Sequence, residues 1–407
     1  MKIVILGLSI TSSWGNGHAT TFRALTCALR ARGHEIVFFE RDLEWYASNR
    51  DLPKPTFCQV YIYEEWRKVL SKLRHELADC DVAVLGSYFP DGIAAADEIL
   101  HSNVPVKAFY DIDTPITVSY LRSGGAEYLS LSQVPGFDIY FSFTGGRILE
   151  ELEQTFGAQR AVPLYCSFDA ERYSRRRKYL RYDCDLSYMG TYAPDRQPKL
   201  KELLCKPAEK LSEYKFIVAG PQYPRGTHWP RNVRRIIHLS PRWHAPLYSS
   251  SRAVLNLTRE QMVAAGYSPS VRLFEAAACA APILSDSWPG LETFLSPDRE
   301  IILVESSGDV VRQLRDRDPK ELESIGAEAQ ARVLSEHTSE RRARQFEKYV
   351  EGVLSHDRHF PEARINSDRL PDAAVQSRYS AARIRREPCI GDVRLGDARA
   401  HEGLRQK

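Results

Sequence analysis

Gly266-Tyr267-Ser268-Pro269-Ser270-Val271-Arg272-Leu273-Phe274-Glu275-Ala276-Ala277-Ala278-Cys279-Ala280-Ala281-Pro282-Ile283-Leu284-Ser285-Asp286 is the most informative stretch of the 407-residue chain. It reads as a loop, a helix with Ser268 or Ser270 at its cap, and a small-residue turn into a buried strand. Serine hydroxyls and open N–H groups at such a helix start make a phosphate site. Arg272 adds a guanidinium that can fork onto phosphate oxygens. Glu275 lies about one turn further on, so both side chains can face one cleft. A carboxylate there accepts hydrogen bonds from vicinal sugar hydroxyls. The plainer reading of the same pair is a surface ion pair on an ordinary helix.

Outward from this stretch, short β-rich apolar runs alternate with amphipathic segments, the pattern of parallel α/β layers. Strands are expected at 2–10, 35–40, 81–86, 106–111, 139–143 and 162–166, with helices at 20–32, 64–77 and 148–156. After the Arg-rich stretch 172–181 a second series begins. Its strands are expected at 186–190, 215–219, 236–239, 253–257, 282–285 and 300–304, and its helices at 197–211, 245–250, 269–280 and 318–335. A last helix spans about 339–354. Two consecutive doubly wound units of similar size follow, joined by a polar linker near residue 170. Beyond His356 the periodicity fails, and 357–407 reads as a mobile tail.

Composition limits the function. The chain has 56 Lys+Arg against 53 Asp+Glu, and the tail alone holds 11 basic and 8 acidic residues, which is the whole surplus of +3. A neutral body argues against a nucleic-acid binder. Eight cysteines stand no closer than eighteen positions apart, so no zinc-knuckle spacing exists and buried free thiols in a reducing cytoplasm are expected. The run Ile3–Ile10 reads as a first strand rather than a signal peptide, and no apolar run approaches the ~20 residues of a membrane span.

Three loops at predicted strand ends complete the candidate site. Ser12-Ser13-Trp14-Gly15-Asn16-Gly17-His18 follows the first strand, and Gly15 and Gly17 let the backbone bring a helix start close to a ligand. Where the dinucleotide fingerprint needs a third glycine there is Thr20, which weakens a NAD reading; a mere tight turn is the structural alternative. His18 is either a general base, a donor to phosphate or sugar, or a helix-capping or merely polar residue. Asp111-Ile112-Asp113-Thr114-Pro115 either holds a divalent metal on a diphosphate or places Asp113 at the cap of a helix begun by Pro115. With no third carboxylate nearby, the metal-free reading is preferred. Phe143-Thr144-Gly145-Gly146 is a weaker contact candidate at the same sheet edge.

Taken together, the chain resembles GT-B glycosyltransferases, specifically the CgeB-like (spore-maturation-protein type) group, over roughly residues 1–355. Five pieces in order carry the resemblance: Gly15 to His18, Phe109 to Pro115, Pro163 to Asp169, Gly190 to Pro198, and Gly266 to Asp286. It implies an α/β fold of GT-B architecture, two Rossmann-like doubly wound domains facing a cleft. The domains are expected at 1–170 (acceptor side) and 171–338 (nucleotide-sugar side), with a closing helix at 339–356. By position, Glu275 matches the acid that binds the donor ribose, and Arg196 looks like the basic residue that meets the diphosphate. Asp169 matches the hinge strand, and His337 to Arg342 the start of the closing helix. Trp229, His244, Asn256 and Arg259 stand where they can line the nucleotide pocket.

The implied activity is transfer of a sugar from a nucleotide diphosphate, UDP being the commonest carrier, to a hydroxyl acceptor on a glycan, a lipid-linked group or a protein. His18 and Asp113 are the candidate catalytic residues. Gly15, Gly17, Arg196, Ser268, Ser270, Arg272 and Glu275 are the candidate donor-binding residues. The donor is a co-substrate; no cofactor and no metal are expected, because two arginines and a helix end can stabilise the departing diphosphate. No nucleic-acid partner is expected, while the basic tail offers peripheral contact to an acidic partner or membrane. One departure from the family pattern stands out. Many retaining relatives carry a glutamate eight positions before the ribose-binding one, and here that position is Tyr267. A nucleotide-sugar epimerase and a non-catalytic sugar- or nucleotide-binding assembly protein of the same fold are the rival readings.

Overall fold

The computed structural model describes residues 1–15 and 17–355; the expectations for Asn16 and for the tail 357–407 lie outside the described residues. Two all-parallel sheets organise the chain. The first contains β1 (Lys2–Leu6), β2 (Glu35–Arg41), β3 (Gln59–Tyr63), β4 (Val82–Gly86) and β5 (Val106–Asp111). A two-residue hairpin pair, β6 (Gly125–Ala126) and β7 (Leu129–Ser130), stands apart, and β8 (Ile139–Ser142) and β9 (Ala161–Pro163) finish the sheet in the order β3-β2-β1-β4-β5-β8-β9. The second sheet contains β10 (Cys184–Met189), β11 (Phe216–Ala219), β12 (Val233–Ile236), β13 (Ser251–Asn256), β14 (Ile283–Ser285) and β15 (Ile302–Leu303) in the order β12-β11-β10-β13-β14-β15. Helices cover both faces, so central strands such as Val82–Gly86 are buried along their whole length and read as unbroken apolar runs.

Several expectations are corrected. The first strand ends at Leu6, and the chain from Ser9 to Thr11 instead wraps around the buried carboxylate of Glu40. That carboxylate accepts from the N–H of Ile10 (2.6 Å) and Thr11 (2.9 Å) and from the Thr11 hydroxyl (2.6 Å). The strand Gln59–Tyr63 is additional; as an edge strand it is half-exposed, so its apolar alternation is diluted by polar neighbours. The strand expected at 236–239 lies three residues earlier at Val233–Ile236, because pairing with β11 rather than local hydrophobicity sets it. Helices Gly92–Leu100, Glu260–Ala265 and Ser307–Arg315 are also additional. The helix from Gln197 to Lys210 is continuous but widens to a π-turn at Lys201–Cys205, just before Pro207, whose missing N–H cannot close an ordinary α-turn.

The crossing segment after β9 leads into β10, and helix Ser339–Leu354 returns to the first half. The return is fixed by Ser339 N–H donating to the Phe168 carbonyl (2.9 Å), by Phe346 stacked on Phe141 (5.2 Å), and by Arg32 and His34 on the Glu347 carboxylate (2.7 Å each). Closer to the cleft, Gly145 N–H donates to the Tyr267 carbonyl (3.0 Å), and the hydroxyls of Thr144 and Ser268 bond each other (2.9 Å). The two halves are therefore stitched together beside the helix start read above.

Candidate active site

In open α/β sheets ligands gather beyond the carboxyl ends of strands where the order reverses. Those points lie between β1 and β4 in the first half and between β10 and β13 in the second. The facing loops enclose two adjoining cavities, of about 150 and about 220 Å³, which share Gly17 and Val271 as lining residues. Gly15, Gly17, Arg272 and Glu275 line the first, and Gly17, His18, Asp113, Arg196, Ser268 and Ser270 the second. All nine residues chosen as catalytic or donor-binding candidates thus line this cleft.

The first cavity is organised around Glu275. Its side chain is buried and faces Tyr248, whose hydroxyl donates to the carboxylate at 3.2 Å, and Tyr173, which comes from the crossing segment. Loss of solvent pushes its carboxyl up to about 7, against the pull of the two tyrosines and of Arg272. The Tyr173 hydroxyl also reaches His244 Nδ1 at 3.1 Å, and His244 Nε2 donates to the Leu239 carbonyl at 3.0 Å. Removal from solvent pushes the His244 imidazole down to about 4, so it stays neutral, and the single Tyr173 proton can serve either its Nδ1 or the Glu275 carboxylate. Sequence reasoning missed Tyr173 and Tyr248, which stand 102 and 27 positions before Glu275.

Arg272 does not form the surface pair with Glu275 that the bland reading required. Its Nε donates to the Met189 carbonyl and its Nη1 to Asn256 Oδ1 (3.0 Å), with the guanidinium over the Tyr188 ring at 5.0 Å. These contacts fix a buried positive charge at the carboxyl end of β10. The two serines need correction as phosphate donors in this arrangement. Ser268 bonds Thr144 across the cleft, and Ser270, although at the N-cap position, donates to Asn256 Oδ1 at 2.8 Å. What Ser270 leaves open is the first turn of helix Val271–Ala278, whose N–H groups receive no side-chain cap. The helix end itself is therefore the anion-facing element.

In the second cavity, Asp113 sits at the N-cap of helix Thr114–Arg122, yet its carboxylate makes no capping bond and lies 3.6 Å from His18 Nε2. His18 is the first residue of helix His18–Ala31, its ring is buried edge-on to Tyr88 at 5.4 Å, and its Nδ1 has no partner. The helix-capping reading of His18 fails, because Gly17 holds that position. Asp111 is not a metal candidate: its buried carboxylate accepts from the hydroxyls of Tyr140 (2.6 Å) and Thr117 (2.8 Å), and burial pushes it up to about 6. Among the described residues no three His, Cys, Asp or Glu side chains group as a metal site. Arg196 donates to the Thr191 carbonyl at 2.6 Å with Nε unpartnered, and Arg259 lines the same cavity with its Nε 3.7 Å from Asp195. Trp229 packs instead against Tyr223 and the Arg235 guanidinium.

Two backbone features give the cleft its form. Gly15 has φ +67°, which only glycine adopts freely, and nothing crowds its Cα, so the backbone is open to a ligand. Gly220 has φ +150°, and a Cβ there would run into the Gly190 carbonyl behind the first cavity. We therefore expect Gly220→Ala to lower stability by about 1–3 kcal/mol, visible as a lower melting temperature. Gly226→Ala, in open space, should leave it unchanged. Tyr267 occupies the departure position with φ +47°, its ring against Gly146 and Gly290, and so forms part of the stitch between the halves.

A family model described as glycosyl transferase-like matches residues 196–348, most of the second half. No curated protein sequence matches the chain. Among solved structures, the sucrose-phosphate synthase of Thermosynechococcus elongatus superposes with a TM-score of 0.67 at 13% identity, covering 87% of this chain and 99% of that one. The HepE protein of Anabaena, in complex with UDP and glucose, gives 0.62 at 12% identity over 86% of this chain and 100% of that one. An alpha-glucosyltransferase in complex with UDP-glucose and DNA containing an abasic site gives 0.64 at 13% identity, over 86% and 99%. At these identities the likeness speaks for the fold, which is the GT-B architecture of glycosyltransferases.

Proposed function

We propose that this GT-B chain is a glycosyltransferase that moves a sugar from a nucleotide diphosphate, UDP first among the candidates, to a hydroxyl acceptor. The observation that carries the reading is the convergence of all nine sequence-selected residues on one cleft between two switch points. The glycosyl transferase-like match over 196–348 supports it independently of that geometry. The CgeB-like subgroup remains our narrower assignment, resting on the five ordered motifs.

In this reading Glu275 takes the ribose hydroxyls, and the uncapped helix start at Val271 with Arg272 and Arg196 takes the diphosphate. Bond breaking leaves negative charge on the diphosphate beside a sugar that has become electron-poor. Fixed donors aimed at that charge need no reorganisation as it develops, which is why they lower the barrier. The acceptor hydroxyl is placed in the second cavity, where the Asp113–His18 pair takes its proton. The two serines act at one remove: Ser270 orients Asn256, which holds Arg272, and Ser268 holds the halves together.

The test is turnover of a panel of UDP-, GDP- and ADP-sugars, followed as donor hydrolysis and transfer. Arg272→Ala and Arg196→Ala should each reduce kcat/KM for the accepted donor by about 10² or more, the usual effect of removing one charge-stabilising donor. Unchanged turnover in both would overturn the assignment. Tight UDP binding with no donor consumed over a wide acceptor set would instead favour a non-catalytic binding protein, the reading suggested by Tyr267.

A further inference from the structure

We infer that the outer face of the second half is a docking surface for an anionic lipid bilayer. The face begins where the crossing segment reaches β10. There the rings of Tyr179, Tyr182 and Trp243 cluster, each tyrosine centroid 5.9 Å from the tryptophan. Four guanidiniums lie over these rings: Arg177 over Tyr179 (5.3 Å), Arg181 and Arg234 over Tyr182 (5.8 and 5.9 Å), and Arg242 over Trp243 (5.6 Å). All four arginines are exposed. None is held in an ion pair among the described residues, and the neighbouring acid Asp183 is already taken by Lys215 at 3.4 Å. Four like charges gathered on one aromatic cluster, with no ion-pair partner among the described residues, form a positive surface.

Charge alone would suit any polyanion; the aliphatic groups narrow the choice. Leu180, between Tyr179 and Arg181, is 95% exposed, and Ile237 is 75% exposed, the two most exposed large hydrophobic residues among those described. Ile237 directly follows Ile236, which packs on the same aromatic cluster. A surface with protruding aliphatic tips, flanking arginines and the half-buried rings of Tyr179 and Trp243 over buried Tyr182 matches the layered chemistry of a bilayer interface, where tips enter the acyl boundary and guanidiniums meet phosphates. A nucleic acid would meet the charge and leave Leu180 and Ile237 without a role. The same chain segment continues into the cleft, where Leu239 and Pro241 line the first cavity, so the docked face lies beside the donor pocket.

The test is co-sedimentation of the full chain with phosphatidylcholine vesicles, with and without phosphatidylglycerol, at low and high salt. Binding is expected only to the anionic vesicles and should weaken with salt. Combining R177Q, R181Q, R234Q and R242Q should lower the partition coefficient by two orders of magnitude or more, at about fivefold per arginine. The double variant L180S/I237S should lower it with the charge intact. Both variants should keep the wild-type melting temperature and nucleotide-induced shift. Absence of binding to anionic vesicles overturns the inference. So does undiminished binding by the fourfold variant, which would assign it to another basic region. Undiminished binding by L180S/I237S, with equally tight retention on DNA, would make the face a polyanion site instead.

Discussion

Replacing Glu275 by glutamine should make the unliganded protein more stable above neutral pH while costing it most of its affinity for a ribonucleotide. The two effects share one cause. In the folded chain this carboxyl keeps its proton to about pH 7 because it is buried, whereas an unfolded glutamate loses it near the ordinary 4.5. Between those values the folded state binds more protons than the unfolded one, so stability falls as pH rises through the window. Above pH 7 the folded protein carries a buried negative charge supported only by Tyr173, Tyr248 and the more distant arginines. Glutamine removes that charge and should raise stability by roughly 1–3 kcal/mol at pH 8, visible as a higher melting temperature. In the proposed function it also removes the charged acceptor for the ribose diol, and losing a charge-assisted pair of hydrogen bonds should weaken UDP binding by about 10²-fold. 2′,3′-Dideoxy-UDP should bind both forms alike, which separates ribose recognition from general damage. For the wild type, UDP affinity should decline as pH drops below 7; a flat profile from pH 5 to 8 would sink this role.

The second large effect concerns turnover without binding. Asp113→Asn should lower transfer by about 10²–10⁴-fold, the range for loss of a general base, while the dissociation constant for UDP stays within twofold. Asp113 meets the second cavity, its carboxylate makes no capping bond, and its neighbour across 3.6 Å is His18 Nε2. His18→Ala should produce a loss of similar order, and the double variant little more than either alone, because in the proposed mechanism the two groups act on one proton. Losses that simply multiply would mean the residues serve separate steps. A helix-capping role for Asp113 would instead appear as lower melting temperature with turnover intact.

Much of this site was legible because it lies where local sequence carries the signal. Strands buried on both faces read as apolar runs, and the loops following β1, β5 and β10 therefore fell at the ligand-binding edge by topology alone. The helix start at Ser270–Val271 and the polar residues around it were legible for the same reason. Their individual bonds were not. Whether Ser268 faces a phosphate or Thr144 depends on a residue 124 positions away, and the carboxylate of Glu40 shapes the loop before Gly15 from 30 positions beyond Ile10. Tyr173 and Tyr248 surround Glu275 through tertiary packing that no periodicity encodes. Edge strands such as Gln59–Tyr63 and Val233–Ile236 suffered from the opposite problem, since partial exposure mixes polar residues into the pattern and register is settled by the neighbouring strand.

The stitch formed by Thr144, Gly145, Tyr267 and Ser268 bears on timing. It attaches the first half to the strap that leads directly into helix Val271–Ala278. Separation of the halves at this point must either break these bonds or drag the helix start along, so the cleft is tied at the start of that helix rather than left as a free gap. In the proposed glycosyltransferase, opening about this point would widen the far rim first and free the nucleotide's base before its phosphates. Weakening the stitch, for example by Thr144→Val, would then be expected to change the rate of product release rather than the chemistry of transfer.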